Sequence, residues 1–363
     1  MSKIRVGIIF GGKSAEHEVS LQSAKNVIDA LDKNKYEAVL IGIDKTGKWY
    51  LNDESKFLLS AGYSETIKIS DEKNNEVAFA PESSGELINL HENKSGKKID
   101  VVFPILHGPF GEDGTMQGLL KLAGIPFVGA GVLGSAVGMD KEITKRLLRD
   151  AGINIGKFLT GRENSLPSFM EIEKEIGLPF FIKPANMGSS VGINKVKSEA
   201  DFEAAVEEAF RYDRKILFEE FIPGREIECS VLGNDKPIAS VPGEIISNHD
   251  FYSYEAKYLD ENGAILEIPA KLSNELVHRI QDMSVNAFRV LECEGLARVD
   301  FFVTENNEIF VNEINTMPGF TKISMYPKLW EASGISYSEL IDKLIVLAME
   351  RFNKEQKLRT SFK

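Results

Sequence analysis

The sequence predicts an α/β and α+β chain: an N-terminal doubly wound parallel sheet, then a second half of mostly antiparallel strands. Three observations carry this. Ile4 to Phe10 is a nearly continuous apolar run, the pattern of a strand covered on both faces, and Gly11-Gly12 turns it into a helix. Similar runs recur at Glu37 to Ile43 and Val101 to Leu106, and strand, helix, strand in that order favours parallel pairing. Beyond Gly152 the chain changes to short strands between polar turns.

The first helix is predicted to run to about Asp32, with Ala24, Val27, Ile28 and Leu31 on one face. From about 52 to 98 the chain is polar and irregular, read as an insertion without a site signal. Asp140 to Ala151 is a helix stopped by Gly152. Strands follow at Phe180 to Lys183, Val191 to Val196, Ile216 to Ile222, Glu228 to Leu232 and Ile238 to Ile245. Ser198 caps a helix to about Arg211, with Asp201 three residues on in a capping-box position. Asn274 to Leu291 is helix, Leu296 to Thr304 and Glu308 to Asn315 form a hairpin, and Ser338 to Phe352 is the last helix.

The chain has 363 residues, enough for two or three domains of ~100–200 each. With 43% hydrophobic and 27% charged residues it reads as globular. A net charge of −12 without basic blocks argues against a nucleic-acid partner. Cys229 and Cys293 are too few for a disulfide framework or a metal knuckle and fit a reducing cytoplasm. No apolar run approaches the ~20 residues that span a bilayer, so no membrane is expected. Lys3 and Arg5 precede only a short apolar stretch, followed by Gly-Gly-Lys, so no signal peptide is expected either.

The hairpin carries the clearest chemistry. With Asn306-Asn307 as a two-residue turn, Asp300 faces Glu313 and Arg298 faces Asn315. Val299, Phe301, Val303, Phe310 and Ile314 then point into a core. Facing carboxylates repel, and oxygen donors without His or Cys suit a hard cation. A solvated face with Arg298 neutralising one acid is the other reading. In the stretch from Phe180 to Gly192, Lys183 ends a strand and a Gly-Ser loop follows, either a phosphate cradle or an ordinary loop. Glu219 and Glu226 flank a strand and a Pro-Gly turn, either a slot for a flat base or a plain edge strand. The loops after Phe10 and Leu106 lie at the carboxyl ends of parallel strands, where ligands bind in open sheets. Asp250 to Asp260 has the polar, aromatic texture of a lid.

Six segments in this order resemble the D-alanine–D-alanine ligases of the ATP-grasp superfamily across essentially the whole chain. They are GGKSAEHEVSL at 11–21, HGPFGEDGTMQG at 107–118, GMDK at 138–141, KPANMGSSVG at 183–192, FYSYEAKY at 251–258, and ARVDFF at 297–302 with VNEINTMPGFT at 311–321. The resemblance implies a pre-ATP-grasp domain over 1–138 and a two-part ATP-grasp module at 139–215 and 216–363, with a lid at about 246–270. It implies ATP-driven phosphorylation of one D-alanine and attack by the amine of a second. Lys141, Lys183, Ser189 and Lys257 are then expected on the nucleotide phosphates, and Glu219, Glu220, Phe221, Ile222, Glu226 and Phe302 around the base and ribose. Asp300, Glu313 and Asn315 match the ligands of Mg²⁺, two ions being expected and Mn²⁺ a substitute. Glu16, with His107 nearby, would hold the first ammonium, and Ser190 would link Glu16 to Tyr258 on the lid. Arg298 and the Gly319 amide would stabilise the oxyanion, and Ser324 with Met325 would take the second substrate. A homodimer is implied as well.

Two alternatives remain at this level. A D-alanine–D-lactate ligase shares nearly every motif, but those relatives lack the lid tyrosine that Tyr258 supplies. A regulatory subunit with a dead site would have lost a phosphate or metal ligand, and Lys183, Asp300, Glu313 and Asn315 are all present.

Overall fold

The computed structural model describes residues 2–53, 57, 69, 75–91, 95–247, 264–359 and 361. The first layer comprises β1 (Ile4–Gly11), α1 (His17–Ala30), β2 (Tyr36–Ile43), β3 (Trp49–Asn52), β4 (Val77–Phe79), β5 (Glu86–Asn89), β6 (Ser95–Lys98) and β7 (Val101–Ile105). β2 and β7 both pair with β1 in parallel, while β3 adds an antiparallel edge. The apolar run of β1 is explained by burial on both faces: Val6, Ile8, Ile9 and Phe10 are fully inaccessible.

The stretch expected to be irregular contains β4, β5 and β6 as a small antiparallel sheet. Its few apolar side chains, Val77, Phe79 and Leu87, pack with Ile9, Val39 and Val102. Strands this short, with polar partners at alternate positions, leave too little periodicity to read.

The middle comprises α2 (Thr115–Leu122), α3 (Val132–Met139), α4 (Lys141–Asp150), β8 (Phe158–Arg162), α5 (Phe169–Ile176), β9 (Phe180–Pro184), β10 (Asn194–Val196), α6 (Glu199–Phe210) and β11 (Lys215–Glu220). The strands form an antiparallel sheet in the order β10-β9-β11-β8. The capping box of Ser198 and Asp201 is present. α2, α3, β8 and α5 are additions to the expected elements. β10 starts three residues later than expected, because Ser189, Ser190 and Gly192 take positive φ and keep the chain in a loop.

The third part comprises β12 (Arg225–Gly233), β13 (Ile238–Ala239), β14 (Gly243–Ser247), β15 (Ala264–Glu267), α7 (Asn274–Val290), β16 (Gly295–Val303), β17 (Ile309–Asn315), α8 (Met325–Ala332) and α9 (Tyr337–Glu355). Pro242 separates β13 from β14, so the single strand expected there is two. α9 returns to the first layer: Leu340, Ile341, Leu344 and Ile345 share a core with Val6, Ile8 and Phe103.

The hairpin corrects its own prediction. Its turn is the three-residue loop 305–307: the Thr304 N–H donates to Glu308 O at 3.0 Å, the Asn307 N–H donates to Thr304 O at 2.9 Å, and Asn307 has φ 59°. Near the turn Val303 therefore pairs with Ile309 and Phe301 with Val311. A one-residue shift exchanges the faces, so Ile309 and Val311 are buried and Phe310 is not the core residue expected. A bulge between Asp300 and Phe301 then restores Asp300 opposite Glu313 and Arg298 opposite Asn315.

Candidate functional site

Loops from all three parts meet at a cleft of about 770 Å³. Of the predicted residues, Glu16, His107, Lys141, Ser189, Arg298, Glu313, Asn315, Gly319, Ser324 and Met325 line it. Asp300 stands beside Arg298, while Lys183, Glu219, Glu226 and Phe302 lie farther along the two antiparallel sheets. Lys257 and Tyr258, with the rest of the 251–258 motif, lie outside the described residues.

Glu16 precedes α1, at the carboxyl end of β1. Its carboxylate accepts from the Ser189 hydroxyl, so the link from Glu16 into the glycine–serine loop runs through Ser189, one residue before the serine expected. Gly108 lies against the same carboxylate: a Cβ there would stand 2.8 Å from Glu16 Oε2, and its φ is 75°. The Gly108 N–H donates to Glu112 Oε1 at 2.8 Å. Burial, and then the charge of Glu16, push the Glu112 carboxyl up to about 8.

Across the cleft, Arg298 grips Asp300 with two bonds, Nε to Oδ1 and NH2 to Oδ2, both 2.7 Å. Glu228 stands 2.8 Å from Arg298 Nε, and Asn315 Nδ2 donates to Asp300 Oδ2 at 2.9 Å. Burial opposes the guanidinium charge, but Asp300 and Glu228 outweigh it and hold Arg298 charged. Among the described residues no three His, Cys, Asp or Glu side chains converge as a ready metal cluster. The expected ligands Asp300, Glu313 and Asn315 stand together on paired positions of the hairpin, with Arg298 and the Asn315 amide on the Asp300 oxygens, and their carboxylate and amide oxygens are the donor types that fit a hard cation.

Asp140 caps α4, accepting from the Ile143 N–H at 3.2 Å, and also accepts from Lys215 Nζ at 2.6 Å. That cap sets Lys141, whose Nζ donates to Met187 O at 2.6 Å and lies 3.8 Å from Glu313 Oε2. Deeper in, Lys183 pairs with Glu219 Oε2 at 2.5 Å, and Lys145 stands 3.4 Å from Oε1. The cost of burying Glu219 is overcome by these two lysines, which bring it down to about 2. Burial lowers Lys145, whereas the closer Glu219 contact outweighs burial and raises Lys183. Glu219 Oε1 is buried and accepts no hydrogen bond from the described residues, which suits an incoming amine donor. Glu226 faces Phe302 across the sheet, and Lys195 Nζ sits 4.1 Å from the Phe221 ring. Glu220 Oε1 accepts from the Lys157 N–H at 2.6 Å, and Ile222 covers Gly156.

Sequence reasoning left Glu112, Lys145 and Glu228 without roles. Glu112 lies within the 107–118 motif, and Lys145 falls four residues after Lys141 on one helix face. Glu228 faces Asp300 only through pairing with a distant strand, for which the chain gives no local signal.

A model described as the N-terminus of D-ala D-ala ligase matches residues 5–130, and one for its C-terminus matches residues 147–346. The chain is 57% identical to the D-alanine--D-alanine ligase of Oceanobacillus iheyensis, covering 99% of each. Its structure is similar to the D-alanine-D-alanine ligase from Coxiella burnetii, with TM-score 0.87, 41% identity, and coverage of 98% of this chain and 97% of that one. It is also similar to the D-alanine--D-alanine ligase from Bacillus anthracis complexed with ATP, with TM-score 0.73, 30% identity, and coverage of 97% and 99%.

Proposed function

The chain belongs to the D-alanine–D-alanine ligase family, and from that premise we propose how its cleft performs the reaction. It joins two D-alanines to D-alanyl-D-alanine, a peptidoglycan precursor, at the expense of ATP. The observation that carries the site reading is the convergence of Glu16, Lys141, Arg298, Glu313, Asn315 and Gly319 on one cleft.

Glu16 accepts the ammonium of the first D-alanine and aims its carboxylate toward the hairpin. Lys141 and Lys183, with Lys257 from the lid motif, offset the charge of the phosphates, so that one anion can approach another. The Glu219 carboxylate, with Glu226, Phe221, Ile222 and Phe302, frames the base and ribose. Asp300, Glu313 and Asn315 would hold Mg²⁺, which supplies charge neutralisation at the transferring phosphoryl group. The D-alanine carboxylate oxygen bonds to the γ-phosphorus and ADP leaves. The amine of the second D-alanine then attacks the acyl carbon and expels phosphate. Arg298 and the Gly319 N–H receive the oxyanion of that tetrahedral step. Ser324 stands at the N-terminal boundary of α8, its hydroxyl accepting from the Thr321 N–H at 3.0 Å, and the positive end of that helix at Met325 attracts the second carboxylate. We place the enzyme in the cytoplasm, which suits two free, buried cysteines, and as a homodimer, which suits the exposed Leu122 and Leu133 on neighbouring helices.

An acceptor panel tests the assignment. With ATP, Mg²⁺ and D-alanine as donor, ADP release should follow D-alanyl-D-alanine formation, with little product from D-lactate or D-serine. A hydroxy acid outcompeting D-alanine at neutral pH would transfer the assignment to an ester-forming ligase.

A further inference from the structure

The segment Met317–Phe320, which carries Gly319, is gripped at both ends by side chains of the N-terminal part. At its start, the Met317 N–H donates to Glu112 Oε2 at 3.2 Å, and His107 Nδ1 donates to Met317 O at 3.0 Å. At its end, the Phe320 N–H donates to Ser23 Oγ at 3.2 Å, and Asn26 Nδ2 donates to Phe320 O at 3.1 Å.

The two ends are tied together. A carbonyl only accepts, so His107 Nδ1 carries the ring proton, and Nε2 is left to accept from the Ser23 hydroxyl 3.4 Å away. Burial pushes the imidazole pKa down, in keeping with a neutral ring. Ser23 thus spends its proton on His107 and a lone pair on Phe320. Ser23, His107 and the Phe320 ring are all buried, the ring 5.5 Å from Phe103 and 5.6 Å from Tyr326. Between the gripped peptides, Pro318 has no N–H to offer. The Gly319 N–H has no acceptor among the described residues, and Gly319 lines the cleft.

We infer that Ser23 and Glu112 are positioning residues for the reaction: with His107, through the Met317 and Phe320 peptides, they fix the direction of the Gly319 N–H. This rests on the oxyanion role given to Gly319 above and adds two side chains that touch neither substrate nor nucleotide in that reading. The physical reason is that an oxyanion donor works by being aimed before charge develops, and a small misplacement costs rate rather than ground-state binding. Chain-local forces cannot supply the aim, since the partners lie 297 residues apart for Phe320 and Ser23, and 205 apart for Met317 and Glu112. The same contacts hold two halves of the protein together, so the test must separate aim from adhesion.

The variants are Ser23→Ala and the isosteric Glu112→Gln, in the full chain with ATP and Mg²⁺. Val27→Ala, on the same helix and fully buried in an apolar core, is the control for lost stability alone. The readouts are kcat, KM for ATP, Tm, and affinity for a phosphinate analogue of the dipeptide, whose tetrahedral oxygens occupy the oxyanion position. Both test variants should lose about 10- to 100-fold in kcat and a similar factor in analogue affinity, with KM for ATP within about twofold. Val27→Ala should lower Tm yet keep kcat within about twofold. If kcat is retained in both test variants, or falls only in step with Tm while analogue affinity is unchanged, the inference is overturned. Failure of the underlying reading shows in the wild type, as an analogue bound no more tightly than D-alanine.

Discussion

Glu313→Gln is expected to lower kcat by about 10²- to 10³-fold, some 3–4 kcal/mol of transition-state stabilisation, while the protein stays folded. The bulge in the hairpin sets Glu313 opposite Asp300, and its carboxylate lies 3.8 Å from Lys141 Nζ, half-open to the cleft. An amide keeps the shape and one oxygen but gives up the charge that a divalent ion and the lysines share. Stability should change by less than about 1 kcal/mol, because a partly exposed ion pair contributes little. Turnover at saturating ATP across a Mg²⁺ series, beside thermal unfolding, measures both. Wild-type turnover at low Mg²⁺ would remove Glu313 from the metal reading.

Gly108→Ala is the second large effect, acting at the other wall. The residue sits at φ 75°, where an L side chain costs roughly 1–2 kcal/mol, and its Cβ would meet Glu16 Oε2 at 2.8 Å and Ser14 Oγ at 2.9 Å. The Glu16 carboxylate must move, and with it the seat of the first ammonium. An increase of about 10²-fold in KM for the first D-alanine is expected, with nucleotide affinity within about twofold, since the lysine cluster belongs to α4 and β9. Steady-state kinetics and nucleotide titration decide it. Weakened ATP binding with an unchanged D-alanine KM would place Gly108 and Glu16 on the nucleotide side.

What could be read from the sequence depended on how local the determining forces are. The parallel layer was legible because β1 is apolar on both faces, and the Ser198 capping box because both partners lie within four residues. The facing of Asp300 and Glu313 was reached by a register that is wrong near the turn. The three-residue loop shifts the pairing by one, and the extra residue in β17 shifts it back. Neither shift leaves a trace in the alternation of Ile309 to Ile314 that a two-residue turn would not also explain, and that alternation alone points Phe310 into the core. Ser189 rather than Ser190 meets Glu16 because consecutive positive φ values rotate the loop, and backbone sign is not written in a serine. Glu112 and Ser23 have no local signature at all, since each acts on a peptide group brought from the far end of the chain.

The central claim is that one D-alanine carboxylate is phosphorylated in this cleft and that phosphate is the group its partner's amine displaces. Its most direct test is turnover with D-alanine labelled by ¹⁸O in both carboxylate oxygens. The carboxylate oxygen that bonds to the γ-phosphorus leaves with it, so the released phosphate should carry one ¹⁸O per dipeptide formed, with the nucleotide recovered as unlabelled ADP. Unlabelled phosphate, or label recovered in AMP, would contradict the account.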